Sequence, residues 1–258
     1  MSVLAGVRDP DDSAELERGG RGRVIPIILD ISRDDSIECA AERVRSIVGV
    51  DGLSALVNNA AATGPGSPME CVTRNALERA FCVTTFGTFL LIRALLPMIR
   101  QAGGRIVNVG AGRLPLPLLG PGYGAKFAME AMSDILRVEL RETGIRVSIV
   151  EPGMTRWDDV EEQLAVYAQA LDDSLSGIPA KDRPRFEDAA RRFKALNRRM
   201  MATAAPADRV AATIQRAITA RHPRARYHCG WEQKAVSWIE RLTTERVRDA
   251  IVGRMMGL

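Results

Sequence analysis

Leu56-Val57-Asn58-Asn59-Ala60-Ala61 ends an apolar run that begins at residue 53 and breaks into two amides and two alanines. A short apolar run bounded by such a break reads as a strand buried on both faces, the usual state of a parallel strand. Comparable runs lie at 3–7, 24–29, 105–109 and 145–150, with a last one at 225–229. Helix-length segments fill the intervals at about 34–48, 70–101 and 124–142. In the last of these, Ala128, Met132, Ile135 and Leu136 recur at helical spacing and predict a face packed on a sheet. Repeated strand–helix–strand units joined by right-handed crossovers give an α/β fold with a doubly wound parallel sheet.

The 258 residues read as a single domain. Its charged helical segment at 157–200, broken near 177–179, is expected to cover the carboxyl edge of the sheet, where open α/β folds bind ligands. With 46% hydrophobic and 26% charged residues the chain has a globular composition. No apolar run approaches the ~18 residues of a membrane span, and the start lacks the basic and apolar parts of a signal peptide. A cytoplasmic protein with no membrane contact is expected. The net charge of +4 comes from arginines. Their densest patch, Arg191, Arg192, Lys194, Arg198 and Arg199, follows Glu187 and Asp188 and has no aromatic platform. It reads as a solvated helix face, and no nucleic acid is expected. Cys39, Cys71, Cys82 and Cys229 lack metal-ligand spacing and read as buried thiols. His228 and Cys229 are adjacent, a poor spacing for one ion, so no metal is expected. No Gly-x-Ser-x-Gly elbow is present, which argues against a hydrolase triad. Trp231, Ala235, Trp238 and Leu242 form a stripe that reads as core or subunit interface.

Four segments in order carry a resemblance. Leu56-Val57-Asn58-Asn59-Ala60-Ala61 resembles the Asn-Asn-Ala-Gly signature of the short-chain dehydrogenase/reductase superfamily. Gly104-Arg105-Ile106-Val107-Asn108-Val109 is similar to that family's fifth strand, and Lys126-Phe127-Ala128-Met129-Glu130-Ala131 to the start of its catalytic helix. Gly144-Ile145-Arg146-Val147-Ser148-Ile149-Val150-Glu151-Pro152-Gly153 resembles its sixth strand and the Pro-Gly turn after it. The resemblance implies a Rossmann-like sheet and runs from about residue 3 to the end, weakest after Pro152.

Set against that family, the chain lacks parts. Val3-Leu4-Ala5-Gly6-Val7-Arg8-Asp9-Pro10 looks like the family's second strand and following loop, so the first strand, glycine turn and first helix have no counterpart. A genuine loss and a misassigned start both account for this. The glycine turn is what brings backbone donors to a cofactor pyrophosphate. The family's catalytic Tyr and Lys are four residues apart, whereas Gly122-Tyr123-Gly124-Ala125-Lys126 looks one residue shorter, with Gly122 in the tyrosine register. Tyr123 is then turned by about 100° and shifted by ~1.5 Å, yet an i,i+3 pair can still be neighbours. No hydroxyl follows the fifth strand in Asn108-Val109-Gly110-Ala111-Gly112-Arg113. Thr84 stands where the family has a helix asparagine, and Trp157 where it often has a threonine. Glu151, Asp158 and Asp159 flank the pocket and can act as acid or base or begin a helix.

The resulting expectation is a non-redox enzyme performing cyclisation, isomerisation or dehydration on a small, largely apolar molecule, with Tyr123, Lys126 and Arg113 as catalytic candidates. No cofactor is expected. Arg8, Asp30 and Asn58 are vestigial candidates for nucleotide contact, Asp30 equally for a turn and Asn58 for bracing the backbone. The alternatives are a pseudoenzyme that binds a partner, and a carbonyl reductase using NADP or NAD. Family likeness implies a homodimer through the helices at 70–101 and 124–142. With no strand between them, runs 3–7 and 53–57 are expected to pair directly.

Overall fold

The computed structural model describes residues 2–20, 22–62, 67–112, 116–156 and 159–256. The apolar runs form β1 (Val3–Val7), β2 (Val24–Ile28), β3 (Ala55–Asn58), β4 (Arg105–Val109) and β5 (Arg146–Glu151). Two-residue strands β6 (Thr155–Arg156) and β7 (Ala205–Pro206) pair with each other, and β8 (Arg226–His228) comes last. All ladders are parallel: β3-β4-β5-β8 is a four-stranded sheet, and β1-β2 and β6-β7 are separate pairs.

Alternation along each strand feeds two cores. Ile106 of β4 and Val147 of β5 join Leu91, Ile92, Leu95 and Ile99 of α4 (Thr88–Gln101) and Ile37, Ala41 and Val44 of α2 (Asp34–Val48). Val107 and Val150 face the other way, against Ala217 and Ile214 of α8 (Ala207–Thr219). Helices therefore cover both faces, as a doubly wound sheet requires. A third cluster lies outside the sheet, where Leu171, Leu175, Ala189 and Ala190 of α6 (Val160–Ser176) and α7 (Arg183–Ala202) meet Val252 and Met256 of α10 (Glu245–Met256). The β6–β7 pair clasps the base of the α6–α7 segment.

The direct pairing expected of runs 3–7 and 53–57 is not formed. Among the described residues β1 pairs with β2 alone and β3 with β4 alone. Side chains join what the backbones do not: Leu4 and Leu29 pack on the cluster that holds Leu56 and Leu91. The β1–β2 pair is held by its helix, because α2 packs on α4. A Cβ on Gly87 would fall 2.1 Å from the Ile31 carbonyl oxygen, so the loop after β2 is seated against the helix there. Moving β1 onto β3 would unpack these contacts. Val3 and Val57 consequently stay exposed.

Several local features differ from expectation. Helix α1 (Pro10–Gly20) starts at the end of the loop expected after β1, with proline at its first position, an acidic first turn and the Asp9 carboxylate accepting from the Asp11 amide. The run expected at 70–101 is α3 (Arg74–Phe81), capped by Thr73, then a π-helical turn at Cys82–Gly87, then α4. Taken together, 74–101 is long and apolar enough to cross a membrane, contrary to the sequence reading, and half of its apolar window is buried in this fold. In α5 (Gly120–Glu139) the buried face carries Ala125, Met129 and Ser133, while Met132 and Ile135 are exposed, so the expected sheet-facing stripe is only partly right. Trp231, Trp238 and Leu242 of α9 (Trp231–Leu242) are exposed rather than core, at 72%, 62% and 75%. Cys39 is exposed and only Cys229 is fully buried. The basic patch of α7 is matched by acids: Arg191 and Arg192 bond Asp188, Lys194 bonds Asp172 and Arg198 bonds Glu161.

Candidate active site

Helix α5 presents three polar side chains on one face, because 123, 126 and 130 are spaced i, i+3, i+7. All three reach the end of β4 or the short segment that follows it. The Tyr123 hydroxyl donates to the Ala111 carbonyl at 3.2 Å. The buried Lys126 ammonium donates to the Val109 carbonyl. One oxygen of Glu130 accepts from the Ala111 and Gly112 amides at 3.1 and 3.2 Å. The one-residue shortening between tyrosine and lysine thus leaves both side chains on residues 109–111, where β4 passes into its loop. Tyr123 also stacks at a tilt on Phe127, with ring centres 5.1 Å apart.

Burial lowers the Lys126 pKa from its usual value to about 8, against the pull of the Glu130 charge. An amine that titrates so near neutrality can hold or release a proton under mild conditions. Glu130 itself is fully buried. Its second oxygen accepts from Arg226 at 2.7 Å, and Arg226 also bonds Glu151 at 2.8 Å and Asp134 at 2.7 Å. The other Glu151 oxygen pairs with His228 Nδ1 at 2.8 Å. Burial alone would raise the Glu151 carboxyl, but the bonds from His228 and Arg226 outweigh it and hold the group below the usual range. Burial of Arg226 is likewise outweighed by its carboxylates, so its pKa rises. Glu151 is therefore bound into an ion network rather than poised as acid or base. Asp159 caps α6 by accepting from the Glu162 amide, the helix-start alternative.

The strand ends converge on this place. Asn58 donates to Asn108, Asn108 to Ser133 and Ser133 to the Met129 carbonyl, a chain that braces β3, β4 and α5. The Oδ1 atom of Asn58 is buried with no hydrogen-bond partner. In the π-helical turn, Thr84 accepts from the Ala62 amide and Thr85 donates to the Ala125 carbonyl, which ties the segment after β3 to α5. π-Helical turns often mark functional sites. Asp30 accepts from the Ser32 amide and hydroxyl, the turn role. The Arg8 charge acts on Asp30 from the end of β1. Arg113, Trp157 and Asp158 lie outside the described residues. No cluster able to hold a metal occurs among the described residues.

Sequence reasoning missed Glu130, Arg226 and Gln233. The i, i+7 relation to Tyr123 was a usable signal for Glu130, whereas Arg226 arrives from a strand about a hundred residues away. Gln233 of α9 lies across the site's back, so that a Cβ on Gly153 would fall 2.6 Å from its amide nitrogen. A cavity of about 500 Å³ opens beside the first turn of α5, lined by Ala62, Cys71, Val72, Ala80 and Pro121 and closed by Gly177 and Pro179 of the helical segment.

The residues present fit part of a dinucleotide. Asp30, Asn58 and Lys126 lie at strand ends or on the adjoining helix, and Asn58 Oδ1 is an acceptor still unpaired.

Retinol dehydrogenase 5 of mouse is 32% identical over 260 residues, covering 98% of this chain and 80% of that protein. The human protein of the same name is 34% identical over 241 residues, covering 92% and 75%. A short chain dehydrogenase from Burkholderia cenocepacia, solved in complex with NADP, shares the fold at a TM-score of 0.69 and 20% identity, covering 99% of this chain and 86% of that one. These dehydrogenase relatives overturn the non-redox reading and remove the ground for expecting no nicotinamide. That reading rested on the missing glycine turn, serine and helix asparagine as well as the shortened Tyr–Lys spacing, yet Tyr123 and Lys126 remain on one helix face. With the short chain dehydrogenase profile matching residues 6–165, the chain belongs to the short-chain dehydrogenase/reductase family.

Proposed function

We propose that this chain is an NAD(P)-dependent oxidoreductase that interconverts an alcohol and a carbonyl on a large, mostly apolar substrate. The observation that carries this is the joint anchoring of Lys126 on the last residue of β4 and of Tyr123 on the loop that follows. The likeness to retinol dehydrogenases supports the substrate class. A bound nicotinamide supplies or accepts the hydride. Lys126 would hold its ribose, Asp30 the adenine side and Arg8 a 2′-phosphate. Tyr123 passes a proton between its hydroxyl and the substrate oxygen, and the adjacent Lys126 ammonium favours the phenolate that results. The cavity beside α5, whose lining of Ala62, Val72, Ala80 and Pro121 is joined by Glu70 and Arg79, takes the substrate body. The end of α6 and the turn after it, from Asp173 to Pro179, form its outer wall.

The test is to mix the chain with retinol and either NAD⁺ or NADP⁺ and follow reduced nicotinamide, with calorimetric titration of both cofactors alongside. Turnover with one of them is expected. Failure of both cofactors to bind or turn over overturns the reading.

We also propose a homodimer. Phe86, Ile135 and Val138 are exposed at 54%, 58% and 65%, and Met132, Ile135 and Val138 make an exposed apolar stripe along α5. A self-complementary patch on a helix pair suits two-fold assembly. Light scattering is expected to give twice the chain mass, and Val138→Glu to give the monomer. A parent chain that is monomeric at micromolar concentration overturns this.

A further inference from the structure

We propose that Glu130 is a positioning residue of this site, clamping the loop after β4 with its carboxylate and giving Lys126 its counter-charge. The proposal rests on the oxidoreductase reading for its catalytic meaning, but its geometry stands alone. A fully buried carboxylate needs partners, and Glu130 divides its two oxygens between functions. One holds the Ala111 and Gly112 amides, and the other meets Arg226. The end of β4 is held at the Val109 carbonyl by Lys126, and the loop itself at the Ala111 carbonyl by Tyr123. Loop and helix are therefore locked in one register, and any proton held at Tyr123 or Lys126 sits at a distance that Glu130 sets.

Gly110 fits this arrangement. A Cβ there would stand 2.4 Å from the Glu130 oxygen, so the loop lacks a side chain where the carboxylate passes. The charged groups around Glu130 are Lys126, Asp134 and Arg137 on its own helix, Glu151 on β5, and Arg226 and His228 on β8. Arg226 is shared among three carboxylates, and Arg137 also pairs with Asp134. The Glu130 charge acts on the buried Lys126 and opposes the loss of its proton.

The chain has four lysines, Lys126, Lys181, Lys194 and Lys234, so the ε-amine of Lys126 can be titrated by NMR on isotope-labelled protein without substrate or cofactor. In Glu130→Gln the Lys126 midpoint is expected to fall by about one pH unit, and the Ala111 and Gly112 amides to exchange faster. Glu130→Asp keeps the charge but withdraws it from the loop, so it should restore the midpoint and leave the amides loose. Gly110→Ala, which displaces the carboxylate without removing it, should also free the amides, and it serves if Glu130→Gln does not fold. A Lys126 midpoint unchanged in Glu130→Gln, or loop amides still protected in Gly110→Ala, overturns the proposal. The titration reads Glu130 whether or not nicotinamide turns over. Absent turnover with a shifted midpoint therefore removes the oxidoreductase reading alone.

Discussion

Lys126→Met should abolish turnover and stabilise the fold in the same stroke. Loss of the ammonium beside Tyr123 removes the group that favours the phenolate, and a reduction of about a thousandfold in kcat/KM follows. The stability effect comes from linkage. Burial brings Lys126 from 10.5 to about 8, and at ~1.4 kcal/mol per unit this corresponds to about 3 kcal/mol of unfavourable burial at pH 7. Because the folded value lies below the unfolded one, the native protein sheds this proton first, and its stability rises as pH climbs from 8 toward 10.5. Methionine removes that dependence. It also leaves the Val109 carbonyl without its donor, which offsets about 1–2 kcal/mol of the gain. Urea unfolding at pH 7 and pH 10 checks both points. A gain of about 1–2 kcal/mol at pH 7 and a flatter alkaline slope are expected. A less stable variant with the parent's slope would mean that the bond to Val109 outweighs the cost of burial.

Arg226→Ala should be the most damaging single change outside the hydrophobic cores. It leaves Glu130 and Glu151, both almost wholly buried, without the cation they share. Stripping one partner from such a cluster costs about 3–5 kcal/mol. The pH dependence should reverse with it. In the parent, Glu151 and Asp134 are held below their usual values, although burial pushes the other way. Their stabilisation is therefore present above the unfolded pKa values and is lost as pH falls through the folded ones. In the variant the deserted carboxylates rise above their unfolded values, and protonating them recovers stability between about pH 6 and 4. Thermal melts across that interval should slope in opposite directions for the two proteins. A loss under about 1 kcal/mol with the parent's slope would show that water or His228 replaces the arginine.

The shape of the fold was legible because burial on two faces writes itself into a strand. Runs at 3–7 and 105–109 are β1 and β4 to the residue, and 34–48 is α2. Helix α1 escaped notice because its Pro10-Asp11-Asp12 start carries the signal in capping chemistry rather than in an apolar stripe. Tyr123 and Lys126 could be named from the resemblance to the family's Tyr–Lys motif, and Asp30 and Asn58 took the turn and bracing roles open to them. The function inferred from the missing motif residues was wrong, since a departure read along a sequence does not say where the remaining side chains end.

By itself the sequence determined the alternation of strands and helices, the parallel sense of the sheet and the helix that carries the candidate pair. Those follow from local periodicity and from chain handedness, which act over a few residues. Only the tertiary structure decided that β1 and β3 stay apart, because the packing of α2 on α4 and of Ile31 on Gly87 fixes the β1–β2 pair from outside. It also decided that Arg226 gathers Glu130, Asp134 and Glu151 into one cluster. Charge pairing in a dry interior depends on distance in space, and residues 130 and 226 become neighbours only when β8 docks beside β5.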